Sequence, residues 1–132
     1  MTMAVVCSFD VPGAPVGKGR PRVTRGGAYT PERTRQYERR VALVATTHLL
    51  KRLDWRMDAR YALVVEARHA RTRKGEPSKK APDIDNVIKA VADALEGIAY
   101  ENDRQVVEVH GYTEHTHDEP RTRVVVQILG DA

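Results

Sequence analysis

Two kinds of hydrophobic spacing occur along the chain, one typical of strands and the other typical of helices. Every second residue is apolar within 5–11 and again within 59–68, which is the period of a half-buried β-strand. Two further strands are expected near 105–113 and 121–129. The sequence therefore predicts four strands.

Two other stretches have the three- and four-residue spacing of an amphipathic helix. The first begins at Thr30-Pro31, where a capping hydroxyl precedes a proline at the first helical position, and is predicted to run to about Arg52. The second is predicted over 83–96 and is stopped by Gly97, a residue type favoured just past a helix end. The apolar stripes are Tyr37, Val41, Val44, Ala45, His48 and Leu49 in the first helix, and Ile84, Ile88, Val91, Leu95 and Ile98 in the second.

The stretches 13–28 and 70–82 are rich in Gly, Pro and basic residues and are predicted as loops. The resulting element order is βαβαββ, without an internal repeat. This order predicts an α+β fold in which two helices pack on one mixed, mostly antiparallel sheet of about four strands. We expect residues 1–132 to form a single domain, because half of this length would be too small to bury a useful core.

Composition excludes several classes of protein. With 41% hydrophobic and 30% charged residues, the chain has a globular composition rather than a fibrous or disordered one. The single cysteine, Cys7, excludes a disulfide framework and a cysteine-based zinc site. No stretch approaches the roughly 20 apolar residues of a membrane span, and the amino terminus has no signal-peptide pattern. We therefore expect a cytoplasmic protein without a membrane partner.

Positive charge is concentrated in two segments of the chain. Residues 17–40 carry a net charge of +6 and residues 68–80 a net charge of +5, although the whole chain has only +4. The remaining residues together therefore carry −7. Such segregation favours a polyanionic partner such as nucleic acid, whereas an evenly mixed surface would indicate only solubility.

The residues with the clearest chemical potential surround the second predicted helix. Asp83 and Asp85 lie where a loop enters the helix, and Ile84 between them is expected to turn into the core and anchor both. Helical spacing places Lys89 on the same flank as Asp85, one turn away. Asp103 lies at the entrance to the next strand and is expected to return toward the two other aspartates. Three carboxylates without histidine or thiol suit Mg²⁺ or Mn²⁺ better than zinc.

Each of these residues also has an ordinary structural explanation. An aspartate at a helix start commonly caps the helix, Asp85 and Lys89 fit a common surface ion pair, and Asp103 fits a turn. Two roles fit Asn86 equally well: it could orient a carboxylate, or it could support the first turn of the helix. Asp93 is expected to pair with a basic residue.

Histidines crowd together near the carboxyl terminus. His110, His115 and His117 lie close in sequence to Asp118 and Glu119, a composition that would suit zinc. A solvated hairpin tip explains the same residues more simply, and we expect that arrangement instead.

Two segments together resemble the RusA family of Holliday junction resolvases. The first is PDIDNVIKAVADALEGIAYENDRQVVEV, residues 82–109, which is similar to the family's signature segment. The second is VPGAPVGKGRPRVTRGGAYTPERTRQYE, residues 11–38, which is similar to its basic loop and helix start. The resemblance implies a RusA-like homodimeric endonuclease that uses a divalent metal to cut two opposed strands of a four-way DNA junction. The expected cofactor is Mg²⁺, with Mn²⁺ as a second option.

The resemblance also implies roles for individual residues. Asp83, Asp85 and Asp103 correspond to the family's metal-binding aspartates, and Lys89 corresponds to its active-site lysine. The family commonly has two adjacent aspartates where this chain has Asn102-Asp103. Asp103, the aspartate that this chain retains, is the expected ligand. With asparagine at position 102, the chain lacks one possible auxiliary carboxylate ligand.

Basic side chains of the two loops are expected to contact DNA phosphates, namely Lys18, Arg20, Arg22, Arg25, Lys79 and Lys80. Leu43 and Leu50 lie off the main stripe of the first helix and are candidates for a dimer interface. Two other functions fit the basic surface: a non-catalytic DNA- or RNA-binding module, and a nuclease of the same fold that acts on other branched DNA. The carboxylates favour catalysis, because a pure binding module gains nothing from negative charge among phosphates.

Overall fold

The computed structural model describes residues 3–19, 22–29, 31–49 and 59–130. The elements of this part of the chain are β1 (Met3–Pro12), β2 (Arg22–Thr24), β3 (Gly27–Tyr29), α1 (Glu32–Thr47), β4 (Arg60–Ala70), α2 (Ile84–Leu95), β5 (Val106–Thr116) and β6 (Arg121–Leu129). A 3₁₀ turn, Asp103–Gln105, immediately precedes β5.

Four of the strands form one sheet in the order β1-β6-β4-β5. β4 and β5 run parallel, whereas β6 is antiparallel to both β1 and β4. Both helices lie on the same face: the Tyr37 hydroxyl of α1 bonds to Thr122 of β6, and Ile84 of α2 lies over Gly111 of β5. The predicted α+β fold, with two helices on a mixed, mostly antiparallel four-stranded sheet, is confirmed.

The predicted loop over 13–28 is wrong in part, because it contains the short antiparallel hairpin of β2 and β3. Strands of three residues are too short to show a hydrophobic period. The helix α1 ends at Thr47 rather than near Arg52, and Leu49 forms an isolated bridge with Cys7 of β1. Thr30, the predicted capping residue, and the stretch 50–58 lie outside the described residues.

The core lies between the helices and the sheet. Side chains that the sequence pattern places inside are fully buried, including Tyr37, Val41, Leu63, Val65, Val91 and Leu95. The isoleucines of the α2 stripe are partly buried and pack against this core, α1 packs toward β1, and His48 at the end of the α1 stripe is exposed. In the described part of the chain, no helix has the length and apolarity that crossing a membrane requires.

The helix α2 connects the parallel strands β4 and β5 and therefore acts as a crossover helix. Such a helix runs antiparallel to the two strands, so it starts beside their carboxyl ends and finishes beside their amino ends. Its twelve residues span about 18 Å at a rise of about 1.5 Å per residue. The two ends of α2 consequently point toward opposite ends of the parallel strands.

Candidate functional site

The amino-terminal end of α2 presents two exposed carboxylates, those of Asp83 and Asp85. Ile84 between them turns inward as predicted and packs against the core. Gly111 of β5 lies directly beneath it, where an added Cβ would be 2.8 Å from Ile84 Cγ1 and 2.7 Å from Ile88 Cδ1. The helix can approach β5 this closely only because residue 111 has no side chain. The packing of Ile84 thus sets the position of both aspartates.

Neither carboxylate is engaged in the ordinary structural roles. The backbone carbonyl of Asp83 accepts hydrogen bonds from the N–H groups of Asn86 at 3.1 Å and Val87 at 3.2 Å, but its side chain makes no cap hydrogen bond. Within the described residues, Asp85 and Lys89 form no ion pair, and both side chains are exposed. Helix capping and surface pairing therefore do not account for these residues, and both carboxylates face solvent.

Asp103 lies at the other end of α2, on a turn that is held by its neighbours. Asn102 Oδ1 accepts the backbone N–H of Arg104 at 2.9 Å, and Gln105 Oε1 accepts that of Asn102 at 3.0 Å. The Gln105 amide nitrogen also donates to the carbonyl of Ala59 at 3.1 Å. Asn102 thus shapes the turn that presents Asp103, at the position where the RusA family commonly has an aspartate.

Asp103 belongs to another acidic group among the described residues. Its carboxylate lies with those of Asp93 and Glu96, and the three ligand oxygens are within 4.8 Å of one another. The ten residues from Asp85 to the end of α2 carry the chain about 15 Å along the helix axis, and Asp103 follows that far end of the helix. The assignment of Asp83, Asp85 and Asp103 as metal ligands stays a prediction.

The acidic group of Asp93, Glu96 and Asp103 creates a strongly negative surface at this end of the helix. Burial, and after it the negative charge of these three carboxylates, raises the pKa of Tyr100, whose hydroxyl donates to the carbonyl of Ala92 at 2.7 Å. Glu96 was absent from the predicted set. Its three-residue spacing from Asp93 on a helix was the only sequence signal for it.

Lys18 forms ion pairs with two carboxylates of this chain. Its Nζ lies 3.1 Å from Glu38 Oε1 and 2.9 Å from Asp93 Oδ2, and its backbone N–H donates to the Asn86 carbonyl at 2.8 Å. Burial lowers the pKa of Lys18, but the hydrogen bonds to Asp93 and Glu38 outweigh it and leave the pKa above its usual value. Asp93 therefore pairs with a basic residue as predicted, and Lys18 links the loop after β1 to both helices.

The other predicted DNA contacts lie around the site or outside the described residues. Arg25 is exposed in the turn between β2 and β3, and Lys79 and Lys80 are exposed in the loop that leads to Asp83. Arg22 belongs to β2, of which only the backbone is described at this position, and Arg20 lies outside the described residues. Their phosphate contacts stay predictions.

The three histidines do not form a group of metal ligands with Asp118 and Glu119 within the described residues. β5 extends to Thr116, so His110 and His115 belong to a strand, and only His117 of the three lies in the predicted hairpin connection. His110 Nε2 pairs with Glu108 at 2.9 Å, and the His115 ring contacts the ring of His69 with centroids 5.5 Å apart. The one group of three potential ligands within the described residues contains no histidine.

Exposed carboxylates next to a basic loop fit a protein that binds a divalent cation and a phosphate. The family model Endodeoxyribonuclease RusA matches residues 12–128, so the chain belongs to the RusA endodeoxyribonuclease family. The uncharacterized protein YqaN of Bacillus subtilis (strain 168) is 31% identical over 134 residues, which cover 90% of this chain and 94% of that protein. The resemblance seen in the sequence is thereby confirmed.

Proposed function

We propose that residues 1–132 form a single endonuclease domain that resolves Holliday junctions by metal-dependent phosphodiester hydrolysis. Family membership supports the endodeoxyribonuclease activity. The observation that carries the proposed chemistry is the state of Asp83 and Asp85, which are exposed and engaged in neither a helix cap nor an ion pair. Two carboxylates without a structural partner, beside a loop with Lys79 and Lys80, fit a site for a metal ion and a phosphate.

A divalent cation such as Mg²⁺ fits the side chains present. Carboxylate oxygens are its preferred protein ligands, and their exposure suits an ion that retains several of its waters. Asp83, Asp85 and Asp103 would hold the ion, and Mn²⁺ accepts the same ligands. When bound, such an ion polarises the phosphate and lowers the pKa of a bound water. Lys89, one helical turn after Asp85, orients the attacking water or offsets charge that develops on the phosphate.

The separation of the aspartates favours a homodimer. Asp83 and Asp85 lie at the first turn of α2, whereas Asp103 lies on the turn that follows its other end. An ion held between two copies, each of which contributes a different end of α2, would bring the three side chains together. A twofold dimer would contain two such sites, and two nicks in opposed strands require two sites. Leu43, 68% exposed on α1, remains a candidate for the interface, whereas Leu50 lies outside the described residues.

Cleavage of a synthetic four-way junction, compared with a linear duplex of the same arm sequence, tests the proposal. We expect paired nicks in the junction that depend on added Mg²⁺, and little cutting of the duplex. Asp83→Asn, Asp85→Asn and Asp103→Asn should each abolish cleavage and retain junction binding, because each removes negative charge near the phosphates. Asp118→Asn removes the same charge from the exposed β5–β6 connection and should cut at the parent rate.

Other outcomes would assign a different function. Junction binding without cleavage in any divalent metal would indicate a non-catalytic binding module. Equal cutting of flaps, forks and four-way junctions would indicate a nuclease for branched DNA in general. An aspartate variant that cuts at the parent rate would show that its residue does not bind the catalytic ion.

A further inference from the structure

Two adjoining cavities lie between the loop after β1, the start of α1 and the loop before α2. The larger has a volume of about 410 Å³ and the smaller a volume of about 170 Å³. Both are lined by Pro15, Arg33, Lys80 and Pro82. Because Asp83 follows Pro82 directly, the cavities lie at the same edge of the sheet as the first turn of α2.

The smaller cavity is lined by a buried histidine whose ring nitrogen is unsatisfied. His69, near the carboxyl end of β4, is 5% exposed, and its Nε2 has no hydrogen-bond partner among the described residues. Burial, and after it the His115 ring, lowers the pKa of His69, which favours the neutral imidazole with one N–H donor. A buried polar atom without a partner costs free energy, and a ligand that bonds to it recovers that cost.

The remaining lining selects for an anion. Arg33 and Lys80 supply positive charge, and neither forms an ion pair with a carboxylate within the described residues. Ser78 Oγ accepts the backbone N–H of Lys80 at 3.2 Å, which leaves the hydroxyl proton to donate to a ligand. No aspartate or glutamate is among the described residues that line either cavity. A guanidinium, an ammonium, a hydroxyl and an imidazole N–H together match the acceptor oxygens of a phosphate group.

We propose that the smaller cavity binds a phosphate group of the DNA backbone next to the cutting site. His69 and Ser78 donate from the interior, and Arg33 and Lys80 neutralise the phosphate at the rim. The adjoining larger cavity accommodates the sugar and base attached to that phosphate. The choice of DNA as the source of the phosphate rests on the proposed function, whereas the phosphate chemistry rests on the cavity alone.

Side-chain NMR of the ¹⁵N-labelled full chain tests the phosphate chemistry without DNA. Inorganic phosphate at pH 8, titrated against chloride at matched ionic strength, should shift the His69 imidazole signals along a saturable curve. The exposed rings of His110 and His117 serve as internal references and should not follow that curve. Arg33→Gln combined with Lys80→Gln should weaken phosphate binding by roughly tenfold. An unmoved His69, or equal shifts of all three histidines, would overturn the proposal.

Junction binding by fluorescence anisotropy then tests the source of the phosphate. The Arg33→Gln, Lys80→Gln variant should lower the logarithmic salt slope of binding by about 0.9, the contribution of one phosphate. Arg35→Gln is the matched control on the same helix, because its guanidinium pairs with Glu32 at 3.6 Å and lines neither cavity. The Arg35→Gln variant should bind junctions with the same logarithmic salt slope as the parent protein.

The two failures can be told apart. If a nucleoside monophosphate saturates the His69 shift while the double variant binds junctions as Arg35→Gln does, the cavity belongs to free nucleotides and the DNA assignment is overturned. A parent protein that cuts no DNA would instead refute the proposed function, and the phosphate-dependent shift of His69 would still support the phosphate pocket.

Discussion

Mixing two inactive variants provides a direct test of a metal site shared between two subunits. Asp85→Asn and Asp103→Asn alter opposite ends of α2, and each is expected to be inactive alone. In a mixed dimer, one shared site carries both substitutions, while the other contains the native Asp85 of one chain and the native Asp103 of its partner. Both side chains are exposed, so the substitutions should not disturb folding. The mixture should therefore recover activity that neither variant has.

The size of the recovery follows from the pairing of the subunits. Equal amounts that assort at random give mixed dimers in about half of the population, each with one intact site of two, so about a quarter of all sites are active. The assay is single-turnover cleavage of an end-labelled four-way junction after the two variants have been dissociated and reassociated together. Since each mixed dimer holds one active site, the products should be singly nicked junctions rather than resolved duplexes.

A second mixture serves as the matched control. Asp83→Asn and Asp85→Asn alter the same end of α2, so every site of a mixed dimer contains one substituted residue, and this mixture should stay inactive. Absence of recovery with Asp85→Asn and Asp103→Asn, despite proven subunit exchange, would refute the shared site. Full activity of Asp85→Asn alone would instead point to an ion held by the Asp103 end of the helix.

Four further outcomes are expected. Lys89→Ala should slow single-turnover cleavage by roughly 10²-fold while anisotropy shows retained junction binding, because one preorganised electrostatic group is removed. Gly111→Val should crowd the isoleucines of α2 and lower the free energy of unfolding in urea by about 1–3 kcal/mol. Replacing Arg20 and Arg22 with glutamine should lower the logarithmic salt slope of DNA binding by about 0.9 for each phosphate that the protein no longer neutralises, and an unchanged slope would show that these arginines serve another purpose. Burial raises the pKa of Cys7 to about 11, so the folded state favours the neutral thiol. The contribution of Cys7 to the free energy of unfolding is therefore complete below pH 9 and declines as the pH rises toward 11. Alkylation of the buried thiol at pH 8 should require unfolding.

Elements with a strong hydrophobic period could be predicted from the sequence alone. The helix α2 is the clearest case, because Val91 and Leu95 recur at helical spacing and are fully buried. The first turn was also predictable, since Ile84 is the one apolar residue between two aspartates. In contrast, β5 is exposed along most of its length, with Val109 47% exposed at the edge of the sheet, and its predicted end fell three residues early.

Features that depend on strand pairing could not be predicted in this way. Local periodicity does not show which strands are neighbours or whether they run parallel. The parallel pairing of β4 and β5 places Asp103 away from Asp83, and it also brings His69 beside His115. The location of Asp103 beyond the far end of α2 and the unforeseen histidine pair therefore have the same cause.

The position of β6 has a consequence for synthesis of the chain. β6 follows the other described strands in the sequence, yet it lies between β1 and β4 and is the strand to which β1 bonds in the sheet. Until residues 121–129 have left the ribosome, β1 lacks the strand to which it bonds in the sheet, and the remaining β4-α2-β5 unit has only a small, marginal core. Translation must therefore reach the end of this strand before the DNA-cutting site can assemble, and a chain truncated before residue 121 should be inactive even though it retains every proposed metal ligand.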